Sequence, residues 1–308
     1  MKHVFVVNPN AGQKNISETI IKDIEENFKD LDHIIYVTKC RHDALRYVKE
    51  FLEKNSKDET YRFYAVGGDG TLYDVVNGAI GYDNAEIACV AHGSGNDFIK
   101  NFRCDISNFR DLSKAIKGKA IPIDIMKIND KYCINITNYG FDGEVTDCQL
   151  RYRRIPGVSG PLAYKLAAFN SLLFNMKFNM KIFVDDKEIC NGKELLAIAA
   201  NGYCYGGGFY CAPEAIINDG LIDFIIIDKI GRLKAASFMS IFRKGEHLVN
   251  PKVKDKVTFV RGKKAIFEGE KPIAYAVDGE VFRDPKIEIE MLPKALKFVL
   301  PEGVEYII

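Results

Sequence analysis

Between residues 3 and 91, four short apolar runs alternate with segments of helical period, and this alternation constrains the fold most strongly. The runs HVFVVN, HIIYVT, RFYAVG and EIACVA are rich in β-branched and aromatic residues and read as buried strands. Apolar residues recur at helical spacing over 16–28 (Ile16, Ile20, Ile24, Phe28) and over 43–54 (Leu45, Val48, Phe51, Leu52). Parallel strands need long crossovers, so strand–helix–strand alternation argues for a parallel sheet with helices on its faces. Ligands of such sheets sit beyond the carboxyl ends of the strands. Three loops fall there: NPNAG (8–12), GGDGT (67–71) and HGSGND (92–97).

After about residue 122 the rhythm changes. IDIMKI, KYCINIT, MKIFVDD, ELLAIAANG, LIDFIIID, VTFV, AIFEG, IAYAVDG and KIEIEML read as strands divided by turns. Many short strands at close spacing suggest a β-sandwich or barrel, interrupted by helical stretches at 162–176 and 232–243. The expected fold is therefore α/β followed by β-rich, with a boundary near GKAIPID: residues 1–122, then 123–293.

The three loops share one chemistry. Glycines 67, 68 and 70 remove Cβ from a strand-to-helix turn and let backbone N–H groups approach a ligand. The following helix, expected to open near Thr71 and Leu72, points a partly positive end into the same space. Phosphate suits that site. Asp69 would repel bare phosphate, which points to a magnesium ion bridging the two. The alternative is a tight turn with an Asp cap. The first loop adds Gly12 with Lys14 just beyond; the third adds Gly93, Gly95, the Ser94 hydroxyl and Asp97 as a capping residue. Neither the P-loop pattern nor the dinucleotide fingerprint occurs.

Composition excludes several classes. Hydrophobic residues make up 47% and charged residues 28%, as in an ordinary globular protein, and a net charge of +1 gives no reason to expect nucleic acid. No run reaches the roughly 18 apolar residues of a membrane span, and the first apolar segment lacks the layout of a secretory signal. The eight cysteines are scattered without a Cys-x-x-Cys pair, which suits small buried side chains in a reducing cytoplasm better than zinc.

VGGDGTLYDVVNG followed by GSGNDF resembles the diacylglycerol-kinase catalytic domain, a family that includes bacterial lipid kinases and the sphingosine and ceramide kinases. NPNAG, GVSGPLAY (157–164), APEAIINDGLIDF (212–224), RKGEH (243–247) and AVDGE (276–280) extend the likeness over nearly the whole chain. GGDGT alone is shared with NAD kinases; the ordered set is more discriminating. The resemblance implies a nucleotide cleft between an α/β and a β-rich domain, with the final segment, 294–308, returning to the first. It implies ATP and Mg²⁺ as cofactors and a lipid hydroxyl as acceptor. Nucleotide contacts map onto Asn8, Pro9, Asn10, Ala11, Gly12, Lys14, Thr38, Gly67, Gly68, Asp69, Gly70, Thr71, Leu72, Ser94, Asn96 and Asp97. The family's lysine commonly follows the first-loop glycine directly, whereas here Gln13 intervenes before Lys14.

YAVDGEVF places Asp278 and Glu280 about a glycine between two apolar runs. Taken alone it is a surface hairpin with a solvated Asp–Gly. By resemblance, Asp278 is the general base toward the lipid hydroxyl, and Glu280 orients it, binds metal, or is itself the base. In the bacterial relatives, the turn matching INDGL holds a structural magnesium; carried over, that names Asp219 with the carbonyls of Ile216 and Leu221.

The segment 149–174 mixes Arg151, Arg153, Arg154 and Lys165 with a helical stripe of Leu162, Leu166, Phe169 and Leu173. The stripe is expected to be core, since surface helices bury one face. The arginines precede it in a glycine- and proline-containing loop that could dock on anionic headgroups. The expected picture is a cytoplasmic protein meeting its lipid substrate at the membrane surface, with an exposed strand edge that could support a homodimer. Two other readings remain: an NAD kinase, although its Asn–Glu and Thr–Gly–Ser–Thr motifs have no counterpart here, and a non-catalytic nucleotide- or lipid-binding regulator.

Overall fold

The computed structural model describes residues 1–12, 16–158, 160–174 and 177–306. In chain order its elements are β1 (Lys2–Val7), α1 (Ile16–Asn27), β2 (His33–Val37), α2 (Asp43–Lys54), β3 (Tyr61–Gly67), α3 (Asp69–Ala79), β4 (Ala85–Ala91), α4 (Leu112–Lys117), β5 (Lys119–Ile128), β6 (Lys131–Cys133) and β7 (Ile136–Gly140). Then come α5 (Phe141–Tyr152), α6 (Gly160–Phe174), β8 (Phe178–Val184), β9 (Lys187–Ala200), β10 (Ile222–Asp228), α7 (Arg232–Arg243), β11 (Val257–Gly262), β12 (Lys264–Val277) and β13 (Glu280–Leu300). The chain divides into two compact units, Met1–Ile125 with Pro293–Ile308, and Met126–Leu292. The expected boundary at 122/123 falls inside β5, three residues before this division.

In the first unit the parallel order is β2-β1-β3-β4, and the end of β13 lies beside β4. Registers such as Val7↔Val37, Val7↔Val66 and Gly67↔Ala91 align the carboxyl ends of four strands. All residues of β3 are buried, as a parallel strand covered on both faces requires. Phe298 of β13 packs among Phe98, Phe102 and Phe109.

The second unit is antiparallel, in the order β11-β10-β9-β7-β12-β13, with β8 pairing both β9 and β12. Runs read separately as AIFEG and IAYAVDG form one strand, β12. An irregularity between Glu268 and Ile273 lets its pairing with β13 resume. KIEIEML and LKFVLP likewise belong to the single long strand β13.

Three helical expectations need correction. The helix after GGDGT opens at Asp69 rather than near Thr71, with Gly68 at its N-cap. Helix α5 has no counterpart among the helices expected in the β-rich part, 162–176 and 232–243. The stripe on α6 is not core: Leu162, Leu166, Phe169 and Leu173 are all exposed, while Ala163, Ala167 and Ser171 are buried. Small residues take the packing face and leave the bulky ones outward.

Candidate active site

The first unit gathers the three glycine loops at one end of its sheet. Asn8, just past β1, donates from Nδ2 to Thr71 Oγ1 at 3.1 Å and so ties the first loop to the second. Asp69 ties the second to the third: its carboxylate accepts from Asn96 N and Asp97 N, each at 2.7 Å. His92 N and Gly93 N both donate to Gly67 O, at 2.7 and 3.1 Å. The backbones touch so closely that a Cβ on Gly93 would lie 2.4 Å from Gly68 Cα, and one on Gly95 would lie 2.6 Å from Asp69 Oδ2. Glycine is required here by contact, not by turn geometry. Thr38, after β2, is anchored by its N–H to Val7 O at 2.9 Å.

Thr71, Leu72 and Asn96 are buried, so they hold the rim's shape, whereas Pro9, Asn10, Gly12, Gly70 and Ser94 are exposed along it. Gly67 is buried at the end of β3, and Gly68 and Ala11 are half-buried. Lys14 lies outside the described residues. Asp97 stands at an N-cap position, but its side chain makes no capping bond; it takes Lys100 Nζ at 2.5 Å instead. A 3₁₀ turn leaves the capping bond unmade where a lysine three residues on offers a charged one.

Burial first, then the neighbouring Asp97, push the Asp69 carboxyl above its ordinary range, while the two backbone bonds oppose this. Asp69 and Asp97 are the two rim carboxylates with the oxygen chemistry a divalent cation takes, while Lys100 pairs with Asp97 and the N-terminus of α3 favours phosphate.

In the second unit, Asp278 and Gly279 form the two-residue link between β12 and β13, and both have positive φ (48° and 90°). That is the primed hairpin geometry favoured by Asp–Gly. The side chain is not the solvated one that an isolated hairpin would carry. Oδ2 accepts from Ile134 N at 2.8 Å; Oδ1 accepts from Asn135 N at 3.0 Å, Ile136 N at 3.1 Å and Cys133 Sγ at 3.2 Å. Burial raises its pKa to about 6 against the opposing pull of these donors. Glu280 opens β13, paired with Val277. The cradle residues Cys133, Ile134, Asn135 and Ile136 escaped the sequence reading, since main-chain donors carry no side-chain signature. Asp142 also escaped it: burial raises this carboxyl to about 7, and Tyr205 Oη donates to it. Apolar residues at 141, 145, 148 and 152 are the signal that would have placed it on a helix.

The INDGL turn is an Asx turn: Leu221 N donates to Asp219 Oδ1 at 2.9 Å, and Gly220 has φ 76°. Asn218 Oδ1 is buried there with no hydrogen-bond partner, an orphaned oxygen that suits an oxygen-only cation turn with Asp219 and the carbonyls of Ile216 and Leu221. Among the described residues no group of three or more His, Cys, Asp or Glu side chains is arranged for a metal, so any cation here would lean on carbonyls.

Residues 2–128 match the family model described as the diacylglycerol kinase catalytic domain. Residues 135–300, more than half of the chain, match the YegS C-terminal NAD kinase beta sandwich-like domain. The chain belongs to the diacylglycerol kinase catalytic-domain family. A Staphylococcus haemolyticus protein named "Putative lipid kinase" is 26% identical over 92% of this chain and 94% of its own. A similarly named protein of Staphylococcus aureus strain JH9 is 23% identical over 96% of each chain. A Bacillus anthracis structure described as a "putative diacylglycerol kinase" superposes with a TM-score of 0.75 at 22% identity, covering 99% of this chain and 98% of that one. Yeast NADH kinase, solved with NADH, matches at 0.50 and 12% identity over 97% and 83% of the two chains. At these identities the structural likeness is one of fold. Membership in this family makes the chain a phosphotransferase.

Proposed function

We propose that this protein is an ATP-dependent lipid kinase that phosphorylates diacylglycerol to phosphatidic acid. One observation supports the reading above others: Asp278 is fixed by three consecutive backbone N–H groups and keeps acceptor capacity. Oδ1 accepts three bonds but Oδ2 only one, so Oδ2 retains a lone pair for an incoming hydroxyl. A base positioned this way needs no rearrangement to take a proton.

In this reading the glycine rim of the first unit holds the triphosphate through backbone N–H groups and the N-terminus of α3. Asp278 takes the acceptor's hydroxyl proton as its oxygen bonds the γ-phosphorus. The bond from that phosphorus to the β–γ bridging oxygen breaks, and ADP leaves with the electron pair. A magnesium ion, when bound, spreads the phosphate charge; Asp69 and Asp97 are the carboxylates proposed to serve it. Glu280, two residues from Asp278, is proposed to orient the acceptor or the base.

The test is transfer of labelled γ-phosphate from ATP to diacylglycerol in detergent micelles, with NAD as a competing acceptor. Diacylglycerol should be labelled and NAD should not. Label on NAD alone would replace this reading with that of an NAD kinase. No label on any acceptor, with ATP still bound, would leave a nucleotide-binding regulator.

A further inference from the structure

We infer that the outer face of α6, with the turn before it, is a docking surface for an anionic lipid bilayer. This choice of partner rests on the lipid-kinase reading. Helix α6 runs from Gly160 to Phe174 and packs through a stripe of small residues. Ala163 and Ala167 are both 0% exposed, and Ser171 continues the same line one turn on. Leu162, Leu166, Phe169 and Leu173 recur at helical spacing about a third of a turn round from that stripe. All four are exposed; Phe169 is 62% and Phe174, at the helix end, 75% accessible. Single exposed apolar residues are ordinary, but a contiguous stripe of them marks a binding face.

Charge decides what that face meets. Between residues 148 and 184 there are six Lys and Arg residues and no Asp or Glu, although Lys181, on β8, pairs with Glu188 beyond this segment. Arg153 and Arg154 are exposed in the turn after α5, beside the exposed Ile155. Arg151 is placed differently from the sequence expectation: it lies in the last turn of α5 and pairs with Asp147. A bulky apolar stripe flanked by cations and empty of acids matches an interfacial helix lying in the headgroup plane of anionic lipid. No helix among the described residues is long and apolar enough to cross a membrane, so α6 would lie on the bilayer. Its C-terminal carbonyls are held by Arg232, whose Nε donates to Leu172 O at 3.2 Å and whose Nη2 donates to Leu173 O. The face is therefore built on an anchored helix.

The test is flotation of the full chain, without nucleotide, on phosphatidylcholine vesicles and on phosphatidylcholine–phosphatidylglycerol vesicles at low and high salt. The protein should float with the mixed vesicles and less so as salt rises. Phe169→Ser with Phe174→Ser should lower the partition coefficient by about tenfold or more, as expected for two buried aromatic side chains. Arg153→Glu with Arg154→Glu should weaken binding to the mixed vesicles and flatten the salt dependence; these exposed turn positions guard against a helix variant that fails to fold. Both variants should phosphorylate micellar diacylglycerol as the parent does. Vesicle binding unchanged in both variants would overturn the inference. So would a parent chain that ignores vesicles but is a dimer by light scattering, converted to monomer by the phenylalanine changes. A parent that binds vesicles yet labels no lipid in micelles would refute the kinase reading and leave the docking surface standing.

Discussion

A carboxylate that accepts three main-chain hydrogen bonds is ordinarily held below its usual pKa, and Asp278 departs from this because burial outweighs its donors. With a pKa of about 6, it is ionised at neutral pH and protonated below that. Only the ionised form can accept a proton, so kcat/KM should rise with pH through about 6 and level off above it. Asp142, raised to about 7, titrates nearby. A Tyr205→Phe variant, which removes the hydroxyl donor to Asp142, should leave the limb near 6 in place; a limb that moves with this variant would assign it to Asp142. Replacing Asp278 by Asn turns one acceptor into a donor aimed at a backbone N–H, a mismatch expected to cost about 1–3 kcal/mol in thermal or urea unfolding. Gly93→Ala places a methyl 2.4 Å from Gly68 Cα. The loops must then part, and ATP affinity should fall by about tenfold in calorimetry, an expectation scaled on overpacking costs of about 1–3 kcal/mol.

Helix α6 shows how an element can invert its expected polarity. Ala167→Leu, on the packed stripe, should destabilise the protein by about 1–3 kcal/mol, while Phe169→Ser, on the outer stripe, should change stability by less than about 0.5 kcal/mol. Equal effects in chemical denaturation would contradict the assignment of faces. The same helix marks where reading from sequence runs out. Its apolar period was legible, but which of two adjacent stripes faces inward was not, because alanine and serine pack a helix closely without announcing it. Strand–helix alternation up to Ala91 and the three loops beyond the strand ends were legible because each signal is local. The cradle of Asp278 was not, since its donors at 134–136 lie more than 140 residues earlier and belong to the main chain. Helix α5 is poorly legible in the sequence because Gly143 in its first turn weakens the helical pattern, although that glycine lets the helix approach Ala274 O, where a Cβ would stand at 2.3 Å.

At the scale of the whole chain, the first unit is discontinuous in sequence and completed by its last residues. Lys297–Val299 pairs with Glu86–Ala88, and Phe298 fills an aromatic cluster. Phe298→Ala should cost about 3–5 kcal/mol by calorimetry. Buried Arg62 pairs with the partly buried Glu86 and supports the same region: it also donates to the carbonyls of Ile116 and Gly118, at 2.8 and 3.0 Å. Removing the guanidinium would leave these partners unsatisfied, at a cost of about 1–3 kcal/mol. These contacts stabilise the unit that carries the glycine rim, whereas the proposed base belongs to the other unit, so binding and chemistry should be separable by mutation. The most direct check is to measure ATP binding and phosphate transfer to diacylglycerol side by side in the parent and in Asp278→Asn. The account predicts unchanged ATP affinity with turnover reduced by about 10²–10⁴-fold, the range of general-base contributions. Turnover equal to the parent's in a folded Asp278→Asn protein would contradict it.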